Sequence, residues 1–278
     1  MNGITNVKSE VGELPKYPEK LPGVFWGITT FFNPDGNSKR VENYRKFRKS
    51  SKAQGLKLLC VELAFDKASF ELGKEDADKL IQLRTSTMLW QKERLLNVAL
   101  KNLPKNCDKV AWLDADILFN NNNWIKETSK LLESYRVVQP FSFIVRLPEN
   151  KSWLNSEKLA FGNKEGEKIH SMGYGIANFG KRHLPTFMKH GHTGFAWAAR
   201  KNIINKHGFY DRLITGSGDS LMAHALYGSP YSHVKRCSPK KMQEDQQKWM
   251  DEIFRDVEGS VYYTPGLIFH LWHAHYKN

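Results

Sequence analysis

"KVAWLDADILF", residues 109–119, drives an apolar run into two aspartates separated by one residue, then resumes it. Val110, Ala111, Trp112 and Leu113 show no polar alternation, the pattern of a strand buried on both faces. Asp114 and Asp116 follow where such a strand ends. In an extended chain residues i and i+2 point to the same side, so both carboxylates are expected to face one spot. Two like charges held together are unfavourable unless something cationic sits between them. A solvated turn can also contain Asp-x-Asp, so the surrounding sequence decides.

Upstream, "VFWGITTFF" (24–32) is β-branched and aromatic and ends at the turn "NPDG". Val41, Tyr44 and Phe47 recur at helical spacing before Gly55, and "LKLLCVELAF" (56–65) is a second strand. Residues 76–104 predict one long helix through Leu89, Leu95, Leu96, Val98 and Leu100, ending before Pro104. Strand, helix, strand, helix, strand predicts a single-domain α/β fold, with a mostly parallel sheet and helices on both faces. Ligands of such sheets sit beyond the carboxyl ends of the strands, where Asp114 and Asp116 fall.

Downstream, a helix is expected at 123–135 and a strand at 137–143. Residues 148–194 are glycine-rich with little periodicity, which suggests a lid or binding loop. "FAWAARKNIINKHGFYD" (195–211) predicts a strand and a short helix, and "GSGDSLMAHALYG" (216–228) sets Asp219 at the start of an apolar helix. The chain divides into an irregular arm (1–22), a first half (23–145) and a second half (146–278).

At 278 residues, 40% hydrophobic and 12% aromatic, the chain has the composition of a folded globule. No apolar stretch approaches the roughly 20 residues that cross a bilayer. "MNGITNVKSEVGELPKYPEK" at the N-terminus lacks the apolar core of a secretory signal. Cys60, Cys107 and Cys237 are odd in number and widely spaced, which argues for a reducing compartment. A soluble, cytoplasmic protein is expected.

Forty-two Lys and Arg against 29 Asp and Glu leave a net charge of +13, which favours anionic partners such as nucleotides, phosphorylated lipids, a membrane surface or nucleic acid. Residues 39–57 hold eight basic side chains and one acid, Glu42, forming either the solvated face of an amphipathic helix or an anionic surface contact.

Four segments, in order, carry a resemblance. "KERLLNVAL" leads into the Asp-x-Asp strand; "GHTGFAWAARKNIINKHGFYD" (191–211), "TGSGDS" (215–220) and "FHLWHAH" (269–275) follow. Over roughly residues 23–276 the chain resembles the GT-A fold glycosyltransferases, especially the family 2 type and the galactosyltransferases. The resemblance implies a Rossmann-like GT-A sheet, with nucleotide-sugar binding in 23–145 and acceptor binding in 146–278. It also implies a metal-dependent transfer of sugar from a nucleotide-diphosphate donor to an acceptor hydroxyl, with inversion. By the same match Asp116 binds the metal, and Asp114 contacts ribose or metal-bound water. A C-terminal histidine completes the metal site, and Asp219 deprotonates the acceptor. Arg94 and Asn97, three apart on one helical face, would contact phosphate or ribose; Thr29 and Thr30 would contact the nucleobase and ribose. Many members carry two acids where this chain has Asp219 alone.

The chemistry accounts for these residue types. A departing diphosphate needs its charge stabilised, and a divalent cation does this as a Lewis acid. Aspartate oxygens plus an imidazole suit Mn²⁺ or Mg²⁺, the imidazole favouring Mn²⁺. Among the histidines, His273 is the first choice and His270 the second; His273 and His275 would share a face of an extended segment. Zinc competes, with Cys237 the nearby thiol. Blander readings stand beside each of these: packed histidines, an Asp219 N-cap, and a solvated face for Arg94 and Asn97. A nucleotidyltransferase usually carries a Gly-rich N-terminal loop with arginine and lysine, which "GITTFFNPDGNSKR" (27–40) does not supply. A non-catalytic nucleic-acid-binding protein is the rival from another class. The acceptor could be a lipid-linked sugar, a polysaccharide or a hydroxylated base in DNA, the last requiring base flipping or single strands.

Overall fold

A computed structural model describes residues 13–151, 153–155 and 159–273. The chain opens with β1 (Val24–Phe32), α1 (Ser38–Ala53), β2 (Lys57–Phe65), β3 (Lys79–Thr85), α2 (Lys92–Lys101), β4 (Cys107–Leu113), β5 (Ile117–Phe119), α3 (Trp124–Leu132), β6 (Val137–Gln139) and β7 (Phe143–Arg146). It continues with β8 (Lys168–His170), α4 (Met172–Phe179), α5 (Phe187–His190), β9 (Ala196–Arg200), α6 (Lys201–His207), α7 (Gly218–Leu226), α8 (His233–Cys237), α9 (Lys240–Val257), β10 (Val261–Tyr263) and β11 (Leu267–His270).

Seven strands form one sheet in the order β10-β6-β9-β4-β1-β2-β3. Its neighbours pair in parallel except around β9, which runs antiparallel to β4 and β6. The expected mixed, mostly parallel α/β sheet is present. A smaller sheet, β5-β11-β7-β8, lies beside it, and strands from both halves of the chain enter both sheets.

Burial on both faces explains the unbroken apolar run of β4. Val110 and Trp112 join Trp197 of β9 in a cluster with Leu95 of α2, Ile204 of α6, Leu221 of α7 and Ile253 of α9. Ala111 and Leu113 point the other way, into a cluster with Phe47 of α1, Trp124 of α3 and Ile268 of β11. No alternation appears because neither face of β4 meets water.

Three expectations need correction. Residues 76–104 are not one helix: β3 pairs in parallel with β2, and α2 begins only at Lys92. Leu80 and Leu83 are spaced for a helix, yet β3 is a partly exposed edge strand. It is pinned where the Asp78 carboxylate accepts the Leu58 N–H at 2.9 Å. The strand expected at 137–143 breaks at Pro140, which has no N–H for a ladder, and the chain passes from β6 into β7 of the second sheet. The stretch 148–194 contains β8, α4 and α5, and Met172 and Ile176 of α4 are buried in the main core.

The basic run is an amphipathic helix. On α1, Tyr44 and Phe47 pack inward, while Arg45, Lys46, Lys49 and Lys52 face water. Arg48 is buried, with Nη1 3.1 Å from Asp78. Among the described residues no helix is long and apolar enough to cross a membrane.

Candidate active site

A cleft of about 480 Å³ opens where β1 and β4 end, lined by Thr30, Phe32, Trp90, Lys92, Asp114, Asp116, Asp219, His270 and His273 among others. β4 stops at Leu113, and the chain turns at residues 115–116 before β5. The extended-chain rule therefore lapses, and the two aspartates take different partners instead of sharing one spot. Asp114 is anchored by its N–H, which donates to the Phe195 carbonyl at 2.8 Å. Phe195 follows Gly194 and holds φ +76°, a left-handed conformation uncommon outside glycine.

Lys92, the first residue of α2, links the two acidic elements. Its Nζ donates to Asp114 Oδ1 at 2.6 Å and to the Asp219 oxygens at 3.2 and 3.3 Å. Burial works against this ammonium, but Asp114, Asp219 and Glu93 outweigh burial and raise its pKa. Burial pushes the Asp114 carboxyl up to about 6, with Asp219 and Asp116 adding to the rise and Lys92 opposing it.

Asp116 faces the C-terminal histidines. Its Oδ2 lies 3.3 Å from His270 Nε2 and 3.6 Å from His273 Nε2. β5 pairs antiparallel with β11, matching Ile117 to His270, and the Leu271 N–H donates to the Asp116 carbonyl at 2.8 Å. β11 ends at His270, so alternation does not carry on to His273, and both rings converge on one carboxylate. His275 lies outside the described residues. Burial pushes the Asp116 carboxyl up, but His270 and His273 outweigh this and hold it below its usual range. Burial likewise opposes charge on His270, and Asp116 overrides it to raise that imidazole.

Asp116, His270 and His273 can each offer one ligand atom, all within 4.8 Å of one another. The other Asp116 oxygen, Oδ1, is buried and accepts no hydrogen bond from the described residues. A buried carboxylate oxygen without a donor is costly, and a cation would satisfy it. One carboxylate oxygen and two imidazole nitrogens are a donor set for a divalent transition-metal ion, Mn²⁺ among them, and no thiol joins the cluster among the described residues.

Other predicted residues lie elsewhere. Thr30 lines the cleft, but Thr29 is fully buried, its Oγ1 donating to the Leu113 carbonyl at 2.8 Å. Asn97 Nδ2 donates to the Phe209 carbonyl at 2.9 Å, and its Oδ1 accepts the Phe209 N–H at 2.8 Å. Arg94 is exposed, with Nε 3.7 Å from Asp211. Both side chains tie α2 to the chain after α6 and do not line the cleft.

Lys92, Glu93 and Trp90 escaped the sequence reading. The Trp90 indole Nε1 donates to Glu93 Oε2 at 3.0 Å, and burial pushes the Glu93 carboxyl up to about 7. The available signal was the alternation in "KLIQLRT" (79–85). Read as a strand, it would have left Lys92 and Glu93 opening a new helix at the sheet's carboxyl edge.

No family model and no curated protein matches the chain. Solved structures with a similar chain trace include S. aureus TarS 1–349 in complex with UDP-GlcNAc, at 11% identity and TM-score 0.41, covering 90% of this chain and 59% of that one. Drosophila β1,4-galactosyltransferase 7 with manganese, UDP-Gal and xylobiose aligns at 12% identity and TM-score 0.40, covering 86% and 64%. The 4-diphosphocytidyl-2C-methyl-D-erythritol synthase of Anaerococcus prevotii aligns at 11% identity and TM-score 0.41, covering 88% and 87%. The chain thus spans about three-fifths of the first two structures. At this distance, function has to be argued from the chain's own side chains.

Proposed function

We propose that this protein is a metal-dependent glycosyltransferase that moves a sugar from a nucleotide-diphosphate donor to an acceptor hydroxyl with inversion. The observation that carries the reading is the Asp116, His270 and His273 cluster, with its unpaired buried oxygen, in one cleft with Lys92 and Asp219. The resemblance of four ordered segments supports it.

Asp116, His270 and His273 would hold Mn²⁺ or Mg²⁺. When bound, the cation compensates the negative charge of the departing diphosphate. Asp114 is oriented by Lys92 at 2.6 Å and is available to the donor's ribose. The Lys92 ammonium adds a fixed positive charge where phosphate charge develops. Asp219 takes the acceptor's proton as the new bond to the anomeric carbon forms and the bond to phosphate breaks. Its two oxygens share Lys92, which fixes the direction of the carboxylate.

The test is consumption of a panel of nucleotide sugars with MnCl₂, with MgCl₂ and with EDTA. Release of nucleoside diphosphate that needs the metal and stops with EDTA is expected. Full turnover in EDTA would overturn metal dependence, and no consumption of any donor would overturn the transferase reading.

A further inference from the structure

From Lys168 to Tyr210 the sequence carries seven Lys or Arg and no Asp or Glu. Its middle, "NFGKRHLPTFMKH" (178–190), spans the end of α4, a 3₁₀ turn (Lys181–His183) and α5. Leu184 tacks this segment to the main core, beside Met172 and Ile176 of α4. Its other large apolar side chains turn outward: Phe179 is 41% exposed, Phe187 38% and Met188 54%. Single exposed apolar residues are ordinary, but three within ten positions make a patch. The patch is seated on histidines. Phe179 packs on His170 and His183, with ring centroids 5.7 and 6.0 Å away. Phe187 packs on His190 and His192 at 5.7 and 5.6 Å. Gly191 lets the two groups close up, because a Cβ there would collide with His170 Nδ1. Lys181, Arg182 and Lys189 are exposed on the same segment. Burial, then the charges of Arg182 and Lys189, hold the His183 imidazole below its usual range, which sets both cations near the ring that Phe179 touches. The patch also adjoins the cleft, since ring contacts run from Phe187 through His192 and Phe195 to His270.

We propose that the segment 178–190 docks this protein on an anionic phospholipid bilayer. The Phe and Met tips enter the boundary between head groups and acyl chains, while the Lys and Arg beside them hold their charges at the lipid phosphates. A duplex nucleic acid would use the cations and leave the apolar tips in water; an anionic bilayer uses both. Docking there sets the cleft beside lipid head groups. The proposal goes beyond the transferase reading and does not rest on it.

The test is flotation of the full chain, without metal or donor, with vesicles of phosphatidylcholine alone and of an equal mixture with phosphatidylglycerol. The mixed vesicles are expected to bind the protein about tenfold or more tightly than phosphatidylcholine, and added KCl should weaken the binding. Phe187→Ser combined with Met188→Ser leaves the charge unchanged and should lower binding about tenfold or more. Phe187→Leu combined with Met188→Leu should keep it within about threefold of wild type. Lys181→Glu combined with Arg182→Glu should lower it about tenfold or more, and by more than Lys46→Glu with Lys49→Glu on α1. Circular dichroism should be the same for all these proteins. Three outcomes overturn the proposal. The first is that the mixed vesicles do not bind the wild-type chain, whether or not a duplex oligonucleotide does. The second is full binding by the serine pair, which would leave only a general attraction between charges. The third is that the α1 pair abolishes binding and the Lys181 and Arg182 pair does not, which would move the contact to α1. None of these outcomes touches the donor and metal measurements, so the transferase reading stands or falls separately.

Discussion

At the scale of single residues, Asp116 and Asp219 have separable duties. Asp116→Asn keeps the volume of the side chain and removes the charge a cation needs. It should abolish calorimetrically detectable Mn²⁺ binding and lower turnover roughly a thousandfold, with the circular dichroism spectrum unchanged. Unchanged Mn²⁺ affinity would rule Asp116 out as a ligand. Asp219→Asn should lower turnover about 100-fold while leaving donor affinity and thermal midpoint near wild type. The proton transfer it removes belongs to the transition state alone. Were Asp219 only a residue of the first turn of α7, turnover would barely move. Lys92→Met should cost about 2 kcal/mol in a urea melt, because two partly buried carboxylates lose their counter-charge. No measurable loss would mean that solvent already screens the triad.

At the scale of elements, α5 and α7 meet through two histidines. The His190 and His224 rings lie 5.2 Å apart at 85°, and His224 Nδ1 is 3.0 Å from Ser229 Oγ. Burial pushes His190 down to about 4 and His224 down to about 3. A base whose folded pKa is depressed favours the neutral form in the fold. Its contribution is therefore complete above the unfolded value, about 6.5, and is lost as pH falls toward the folded value. Glu93 and Asp114, with raised folded pKa values, act in the opposite direction over part of the same range. The informative quantity is thus the difference between variants. His224→Asn should lower stability at pH 7, yet remove about 2 kcal/mol of the stability change between pH 7 and pH 5. Parallel pH profiles for the two proteins would show that His224 already titrates normally.

At the scale of the whole molecule, the +13 charge is a long-range field, and much of it stands on the outer face of α1. An anionic donor should be drawn toward the cleft, and salt should weaken that attraction because the Debye length falls from about 10 Å at 0.1 M to about 3 Å at 1 M. The donor KM is expected to rise with KCl concentration while kcat changes little. Lys46→Glu combined with Lys49→Glu should flatten that rise. A salt-independent KM would confine the basic face to solubility.

Local sequence determined the elements whose neighbours along the chain settle their fate. β1, β2, β4 and β9 are legible as apolar runs because a strand buried on both faces needs nothing else, and α1 and α7 are legible from helical spacing and glycine boundaries. The Asp114 and Asp116 pair was legible as the end of a strand and Asp219 as the start of a helix, whereas the two histidines were reached through the resemblance of "FHLWHAH", because β11 has no signal of its own in the sequence. Tertiary structure decided the rest. β3 is a strand because β2 offers it a ladder, although Leu80 and Leu83 fit a helix equally well. Arg94 and Asn97 share a face of α2, but only packing against the loop after α6 shows that this face turns from the cleft. Lys92 matters through partners 22 and 127 residues away; such proximity is created by folding and leaves no periodic trace in the chain.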